Sequence, residues 1–258
     1  MTHVFADTYF MTQRHFRNLL RQPAWIFISL VQPVVWLLLY GALFRKIVEI
    51  PGFGAGSYID FLTPGIVVMT CLFSAGWSGM DLIEDIDRGV IDRFLVSPAS
   101  RSSLIAGRLV QGALVGIIQS VIIVVLGLIV GAEYPGGIAG IAALTICAVL
   151  LGTGVGALSN AIGVLSRRVE TMVAVSNFVL LPLTFLSSVF MARALMPGWM
   201  QSVATYNPVE WAVNAGREGL VSSPDWSIVL SRMGYLAIFT VVCTWLATRA
   251  FRVYQRSI

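Results

Sequence analysis

Long apolar runs separated by short polar ones dominate this 258-residue chain. A membrane-crossing helix needs about 20 mainly apolar residues, and six stretches meet that requirement, at 24–44, 59–80, 104–131, 138–165, 171–191 and 227–250. The fourth and fifth are separated by no more than SRRVE, residues 166–170. The pattern predicts an all-α polytopic membrane protein with six transmembrane helices and both chain ends on the same side.

The polar intervals have periodicities of their own. Phe5, Tyr9, Thr12, Phe16 and Leu19 recur at helical spacing, Arg14, Arg17 and Arg21 share the opposite side, and Pro23 ends the repeat. Residues 1–22 therefore read as an amphipathic interface helix lying along the membrane surface. Between 192 and 226 the chain is semi-apolar and longer than a simple connection needs. There NPVEW places Asn207 at an N-cap, Pro208 at the first helical position and Glu210 where a capping-box partner belongs, with the helix running to Gly219. Together with MPGWM just upstream, which contributes Pro197 and Trp199, this predicts two short re-entrant helices dipping into the outer leaflet, an arrangement tolerated where it packs against protein.

Composition changes the picture in one direction. The chain is 57% hydrophobic and 12% charged, with a mean hydropathy of +0.83, whereas soluble domains hold roughly half and a quarter. A single membrane domain, 1–258, leaves no sizeable aqueous core. Arg14, Arg17, Arg21, Arg88, Arg93, Arg101, Arg108, Arg167, Arg168, Arg249, Arg252 and Arg256 fall on one face of the membrane, and Arg45, Lys46, Arg193, Arg217 and Arg232 on the other. By the positive-inside rule the termini are cytoplasmic. The net charge of +4 is scattered between spans, which argues for a lipid bilayer and against a nucleic-acid partner. Cys71, Cys147 and Cys243 each fall inside an apolar run and read as small packing residues. The polar first twenty residues carry no cleavable signal pattern. Sixteen arginines against one lysine is the usage of a GC-rich genome and points to a bacterial inner membrane.

Missing chemistry narrows the function classes. Lys46 is the sole lysine and follows Arg45, so no G-x-x-x-x-G-K-[ST] phosphate loop exists, and ATP, if used, is bound with Mg by another chain. His3 and His15 both lie in the N-terminal arm, which removes an H-E-x-x-H zinc site and a Ser-His dyad within the membrane. No cofactor, metal or catalytic residue is expected in this chain. An ion-coupled carrier needs an ionisable group deep in a span, but Asp60 and Arg232 sit at outer ends and Arg108 at an inner end. Proton coupling is disfavoured, and sodium sites built from carbonyls and hydroxyls stay open. A scaffold protein that moves no substrate is the other competing class.

One segment breaks the apolar pattern sharply. In DRGVIDRFLVSPASR, residues 87–101, Val90, Ile91, Phe94 and Leu95 fall on one helical face while Arg88, Asp92 and Arg93 occupy the rest. Gly89 bends its start and Ser97-Pro98 ends it. Charges of both signs flanking an apolar ridge suit docking into a protein groove more than adhesion to lipid.

The surrounding EDIDRGVIDRFLVSPASRSSLIAGRLV resembles the cytoplasmic loop of type 2 ABC exporter permeases of the daunorubicin-resistance kind, matching at Asp85, Asp87, Gly89, Asp92, Leu95, Ser97, Pro98, Arg101, Gly107 and Arg108. MPGWMQSVATYNPVEWAVNAGR is similar to that family's outer L-P-x-W…N-P-v…R segment. Two departures stand out: Ile86 replaces the arginine of the family's first acid-arginine pair, and Val90 replaces a threonine. The resemblance implies a permease subunit of an ATP-driven exporter. Two permease chains, identical or related, would pair, each resting on a separate ABC ATPase subunit, with two copies of that ATPase.

On that basis the cytoplasmic loop 81–103 would couple to the ATPase through Asp85, Asp87, Arg88, Gly89, Ile91, Asp92, Arg93, Phe94, Leu95, Ser97, Pro98 and Arg101, assisted by Arg14, Phe16, Arg17, Leu20 and Arg21 of the interface helix. For the substrate path or dimer interface the family points to the first, second and fifth spans, where Gln32, Pro33, Trp36, Met69, Asn177, Thr184, Phe185 and Ser188 are the candidates. Pro197, Trp199, Asn207, Pro208, Glu210 and Arg217 mark the outer re-entrant segment. Aromatic and methionine surface with little charge suits a hydrophobic or amphipathic cargo such as a drug, antibiotic or lipid; polysaccharide or glycolipid export is the alternative. Glycines at 112, 116, 152, 154, 156 and 163, with Asn160, are expected to let neighbouring helices approach.

Overall fold

The computed structural model describes residues 23–50, 53, 56–88 and 101–254, with side chains over 30–50, 53, 56–88 and 107–250. The interface helix and the segment 89–100 lie outside these residues. Eight α-helices follow one another among the described residues: α1 Pro23–Leu43, α2 Tyr58–Asp87, α3 Arg101–Val130, α4 Gly137–Ser166, α5 Val169–Phe185, α6 Gly198–Thr205, α7 Pro208–Leu220 and α8 Trp226–Tyr254. No strand occurs among them. Four helices, α2, α3, α4 and α8, are long and apolar enough to cross a membrane, while α1 over Leu30–Leu43 and α5 are shorter apolar helices.

Local chemistry sets the helix ends. Ser57 caps α2, its hydroxyl accepting from the Ile59 N–H at 3.3 Å, and Asp60 in the first turn suits the positive end of the helix dipole. At the end of α3, Gly131 adopts φ +100°. The Ala132 N–H then reaches the Gly127 carbonyl at 2.8 Å and the Gly131 N–H the Leu128 carbonyl at 3.1 Å, the double bond of a left-handed helix stop. Between α4 and α5 the chain needs two residues, because Arg167 takes φ 50° and donates its N–H to the Gly163 carbonyl at 3.0 Å.

α2 is buried along most of its length and packs chiefly on α4, which also supports α7 and α8. Small residues bring these helices close. A Cβ on Gly163 would stand 2.6 Å from the Gly79 carbonyl oxygen, one on Gly152 3.3 Å from that of Cys71, and one on Gly154 2.8 Å from the Phe239 ring. Gly156 and Gly116 have ordinary contacts, and Gly112, expected to thin α3, faces open space. The three cysteines are buried and free.

Two boundaries depart from expectation. Helix α2 continues to Asp87 and α3 begins at Arg101, so residues 81–87 and 101–103 are helical turns where a loop was expected. The fifth apolar run, expected to 191, is helical only to Phe185 and then turns. The reason lies in the side chains that meet it.

Candidate functional site, a polar clasp on a broken helix

The last helical backbone bond of α5 runs from the Leu186 N–H to the Pro182 carbonyl at 2.8 Å, and α7 with its N-cap residue supplies replacements. The Asn207 amide donates to the carbonyls of Leu183 at 2.7 Å and Leu186 at 2.9 Å. Glu210 accepts the Ser188 N–H at 2.6 Å. Arg217 donates to the Ser188 carbonyl at 2.6 Å, the Ser188 hydroxyl at 2.9 Å and the Val189 carbonyl at 3.2 Å. Its Nε also donates to the Phe61 carbonyl on α2 at 3.1 Å, and the guanidinium lies 3.5 Å from the Phe61 ring centroid. Orphan carbonyls at a helix end need such partners when water cannot reach them, and Asn207 and Glu210 are 4% and 3% exposed.

Asn207 still caps α7, accepting from the Val209 N–H at 2.9 Å, with Pro208 at the first helical position. Glu210 does not close a capping box. The Asn207 N–H goes instead to the Ala204 carbonyl at 3.1 Å, because the Glu210 carboxylate is committed to Ser188. Arginine keeps its charge in proteins, and the four acceptors around Arg217 meet the guanidinium's donors. Ser188, Asn207, Glu210 and Arg217 thus converge from two stretches of sequence, whereas the Thr184 hydroxyl bonds its own helix at the Leu180 carbonyl, 2.8 Å away.

Aromatic rings extend from the clasp to α1. Phe185 meets Phe190, with centroids 5.7 Å apart, and Phe190 meets Trp36 at 5.3 Å and Tyr40 at 5.5 Å. Tyr40 leads through Phe44 to Tyr58, which donates its hydroxyl to the Phe190 carbonyl at 3.1 Å. The other candidates stand apart: Gln32 is exposed, Pro33 is buried, Met69 is in the α2 core, and Asn177 bonds its own helix at Val173. Pro197 precedes α6 and Trp199 is exposed on it.

At the opposite end, Arg108 of α3 pairs with Asp85 of α2, and Arg88 pairs with Glu84. Asp87 is exposed. Gly89, Ile91, Asp92, Arg93, Phe94, Leu95, Ser97 and Pro98, the side chain of Arg101, and Arg14, Phe16, Arg17, Leu20 and Arg21 lie outside the described residues. Nearer the centre, three helices cross at a point where the sequence pattern marked Gly163 but none of the bonding residues: the Gly76 carbonyl accepts from Ser159 at 2.6 Å and Ser176 at 3.1 Å, while the Gly79 N–H donates to Ser159 at 3.0 Å. Small residues at 76 and 79 opposite 159 and 163 were the available signal. Among the described residues no group of three or more His, Cys, Asp or Glu side chains could hold a metal ion.

Charged bonding thus stands at the two ends of an apolar bundle. Residues 6–221 match the ABC-2 type transporter family. The chain belongs to that family. It is a membrane permease subunit, and the resemblance carried by the two motifs extends over nearly its whole length. The daunorubicin resistance ABC transporter permease protein DrrB1 of Streptomyces coeruleorubidus is 30% identical over 247 residues, covering 93% of this chain and 82% of that protein. The putative transport permease ycf38 of Porphyra purpurea is 31% identical over 224 residues, 86% of this chain and 76% of the relative. The inner membrane transport permease YadH of Escherichia coli K12 is 26% identical over 225 residues, 83% of each.

Proposed function

We propose that this permease is the membrane half of an ATP-driven exporter in which a separate ABC ATPase, in two copies, hydrolyses ATP with Mg. Two permease chains pair through the faces of α1 and α5, each crossing the membrane six times with cytoplasmic termini. Helix α1, 21 residues long, spans about 31 Å at 1.5 Å per residue, and the 17 residues of α5 are at the lower limit for crossing, about 17. Exposed Val31, Val35 and Leu39 of α1 and Phe178, Leu181 and Phe185 of α5 supply apolar surface for a partner. The clasp then holds α6 and α7 as an outer re-entrant cap.

The observation that carries the reading is the segregation of charge. Asp85, Arg108, Glu84 and Arg88 gather at the end of the bundle where the chain enters residues 89–100, and the spanning helices carry no Asp, Glu, Lys, Arg or His near their middles. Energy therefore enters from outside the membrane, through a docked partner, and proton coupling through a side chain deep in a span is not the driver. Phe94 and Leu95 form the ridge that docks, flanked by Asp92 and Arg93. The cargo is hydrophobic or amphipathic, in keeping with the drug named for the Streptomyces relative.

Purification of tagged protein in mild detergent from its native membranes tests this. An ATP-hydrolysing subunit is expected with wild type and not with Phe94→Asp. A folded wild-type preparation that carries no ATPase, with nearby ATPase candidates expressed, sinks the exporter reading and brings the ion-coupled carrier forward.

A further inference from the structure

The outward ridge of α8 ends on an arginine without a carboxylate partner among the described residues. Ile238, Val242 and Trp245 are 64%, 48% and 52% exposed. With Arg249, exposed in its turn, they recur at the i, i+4, i+7, i+11 spacing of one helical face. The Arg249 guanidinium lies 4.2 Å from the centre of the Trp245 ring, one turn back along the helix, the direction in which helical side chains lean. The charge is thereby held at the end of the apolar ridge and not carried away from it. Leu109, next to Arg108, packs with Cys243 and Ala247, so this end of α8 stands at the end of the bundle that carries the Arg108–Asp85 pair. Neither that pair nor Arg88–Glu84 includes Arg249. From Trp226 to Ile258 the sequence holds no Asp or Glu, while Arg252 and Arg256 follow Arg249.

We propose that Trp245 and Arg249 bind an anionic phospholipid, with its phosphate on the guanidinium and an acyl chain along the ridge. Ile238 precedes Arg249 by eleven residues, about 16 Å at 1.5 Å per residue, and the hydrocarbon of one leaflet is about 15 Å deep. A guanidinium at that boundary needs an anion, and a phosphodiester offers the paired oxygens that its fork bonds best. Tryptophan is enriched at the same headgroup depth. The sign of the charge separates this site from residues 87–101. There acids alternate with bases and a protein groove is the fitting partner, whereas a stretch that is basic throughout is drawn to anionic lipid. Free phosphate would meet the arginine and leave Ile238, Val242 and Trp245 uncovered, so the lipid is the source. Seated there, the headgroup fixes the depth of α8 beside α4, on which that helix packs.

The test uses the full chain in phosphatidylcholine nanodiscs doped with one of two photoprobes: phosphatidylglycerol with a diazirine midway along an acyl chain, or phosphatidylcholine with the same chain. Adducts are mapped by mass spectrometry. Within 238–245 the glycerol lipid is expected to give roughly five-fold or more the yield of the choline lipid, with the two equal at the exposed Ile117 and Val121 of α3. Arg249→Gln should bring the glycerol-lipid yield down to the choline level, and Arg249→Lys, which keeps the charge, should retain an excess. Trp245→Leu, which keeps the apolar surface and loses the ring, should lower that excess. Equal yields from the two lipids at 238–245, an excess that survives Arg249→Gln, or displacement by inorganic phosphate at matched ionic strength would overturn the assignment. Labelling of Ile117 and Val121 with none at 238–245 would give this face to a protein partner and overturn it as well. The measurement involves no ATPase, so its outcome is independent of the co-purification.

Discussion

The clasp between α5 and α7 and the crossing of α2, α4 and α5 are both buried and both bond side chains to backbone, yet they use opposite chemistry. At the clasp the backbone has left the helix, and long charged or amide side chains reach across 21 to 29 residues of sequence, and in one bond 156, to meet carbonyls and an N–H. At the crossing the helices stay whole. There glycine and serine meet glycine, and the hydroxyls of Ser159 and Ser176 add bonds to a Gly76 carbonyl that helical geometry already serves. Broken backbone inside an apolar bundle demands charge; intact backbone demands space. The first should fail steeply on substitution and the second gradually.

Arg217→Ala attacks the first directly. It removes the charge that offsets Glu210 and uncovers carbonyls of Phe61, Ser188 and Val189, and each buried acceptor left without a partner costs about 1–3 kcal/mol. Thermal unfolding of the purified chain in detergent should show a larger midpoint drop for this variant than for any glycine or serine change at the crossing. Arg217→Lys should rescue little, because a point charge cannot replace the fork that serves four acceptors. A drop no greater than that of an exposed substitution such as Trp199→Ala would mean that the turn after α5 is held by its own packing.

Overpacking the crossing comes next. A Cβ on Gly79 would stand 2.6 Å from Met172 Cε and 2.8 Å from the Ser159 hydroxyl, and Gly163→Ala would press on the Gly79 carbonyl. Forced expansion of a packed core costs about 1–3 kcal/mol. The same unfolding assay should place both alanine variants below wild type and above Arg217→Ala. Equality with Arg217→Ala would erase the distinction between the two regions.

Much of the bundle was legible in the sequence because apolar periodicity reports burial in lipid and in protein alike. The N-cap at Asn207 was legible too, since capping is a local matter of three or four residues. What Glu210 does was not. A carboxylate at the third helical position satisfies a local rule, and only the folded chain brings Ser188, 22 residues away, to claim it. The end of α5 was hidden for the same cause: residues 186–191 are apolar enough to continue a span, and the side chains that stop them lie on α7. Gly112 meets no neighbour among the described residues, since small-residue spacing says that a neighbour could approach and not that one does.

Ser159→Ala probes the weaker bonds of the crossing. It removes the hydroxyl that bridges the Gly76 carbonyl and the Gly79 N–H, both of which keep partners or close packing in an intact helix. Hydrogen bonds between membrane helices average about 0.6 kcal/mol and reach about 1.7, so a midpoint loss smaller than that of Gly79→Ala is expected. A larger loss would show that bonding, more than space, holds this crossing.

Gly112→Ala sets the lower bound and has the opposite sign. It lies on α3 with nothing within 4 Å of an added Cβ, so the methyl meets no neighbour among the described residues. A mid-helix glycine is worse than alanine by roughly 0.5–1 kcal/mol through backbone entropy, and in lipid the variant should unfold at or slightly above the wild-type midpoint. Loss of stability would require that the face of α3 carrying Gly112 is covered by something other than lipid. A second permease copy would be the first candidate, to be checked by comparing the oligomeric state of the variant with that of wild type in nanodiscs. The expected gain would instead assign that face to lipid and leave α1 and α5 as the pairing surface.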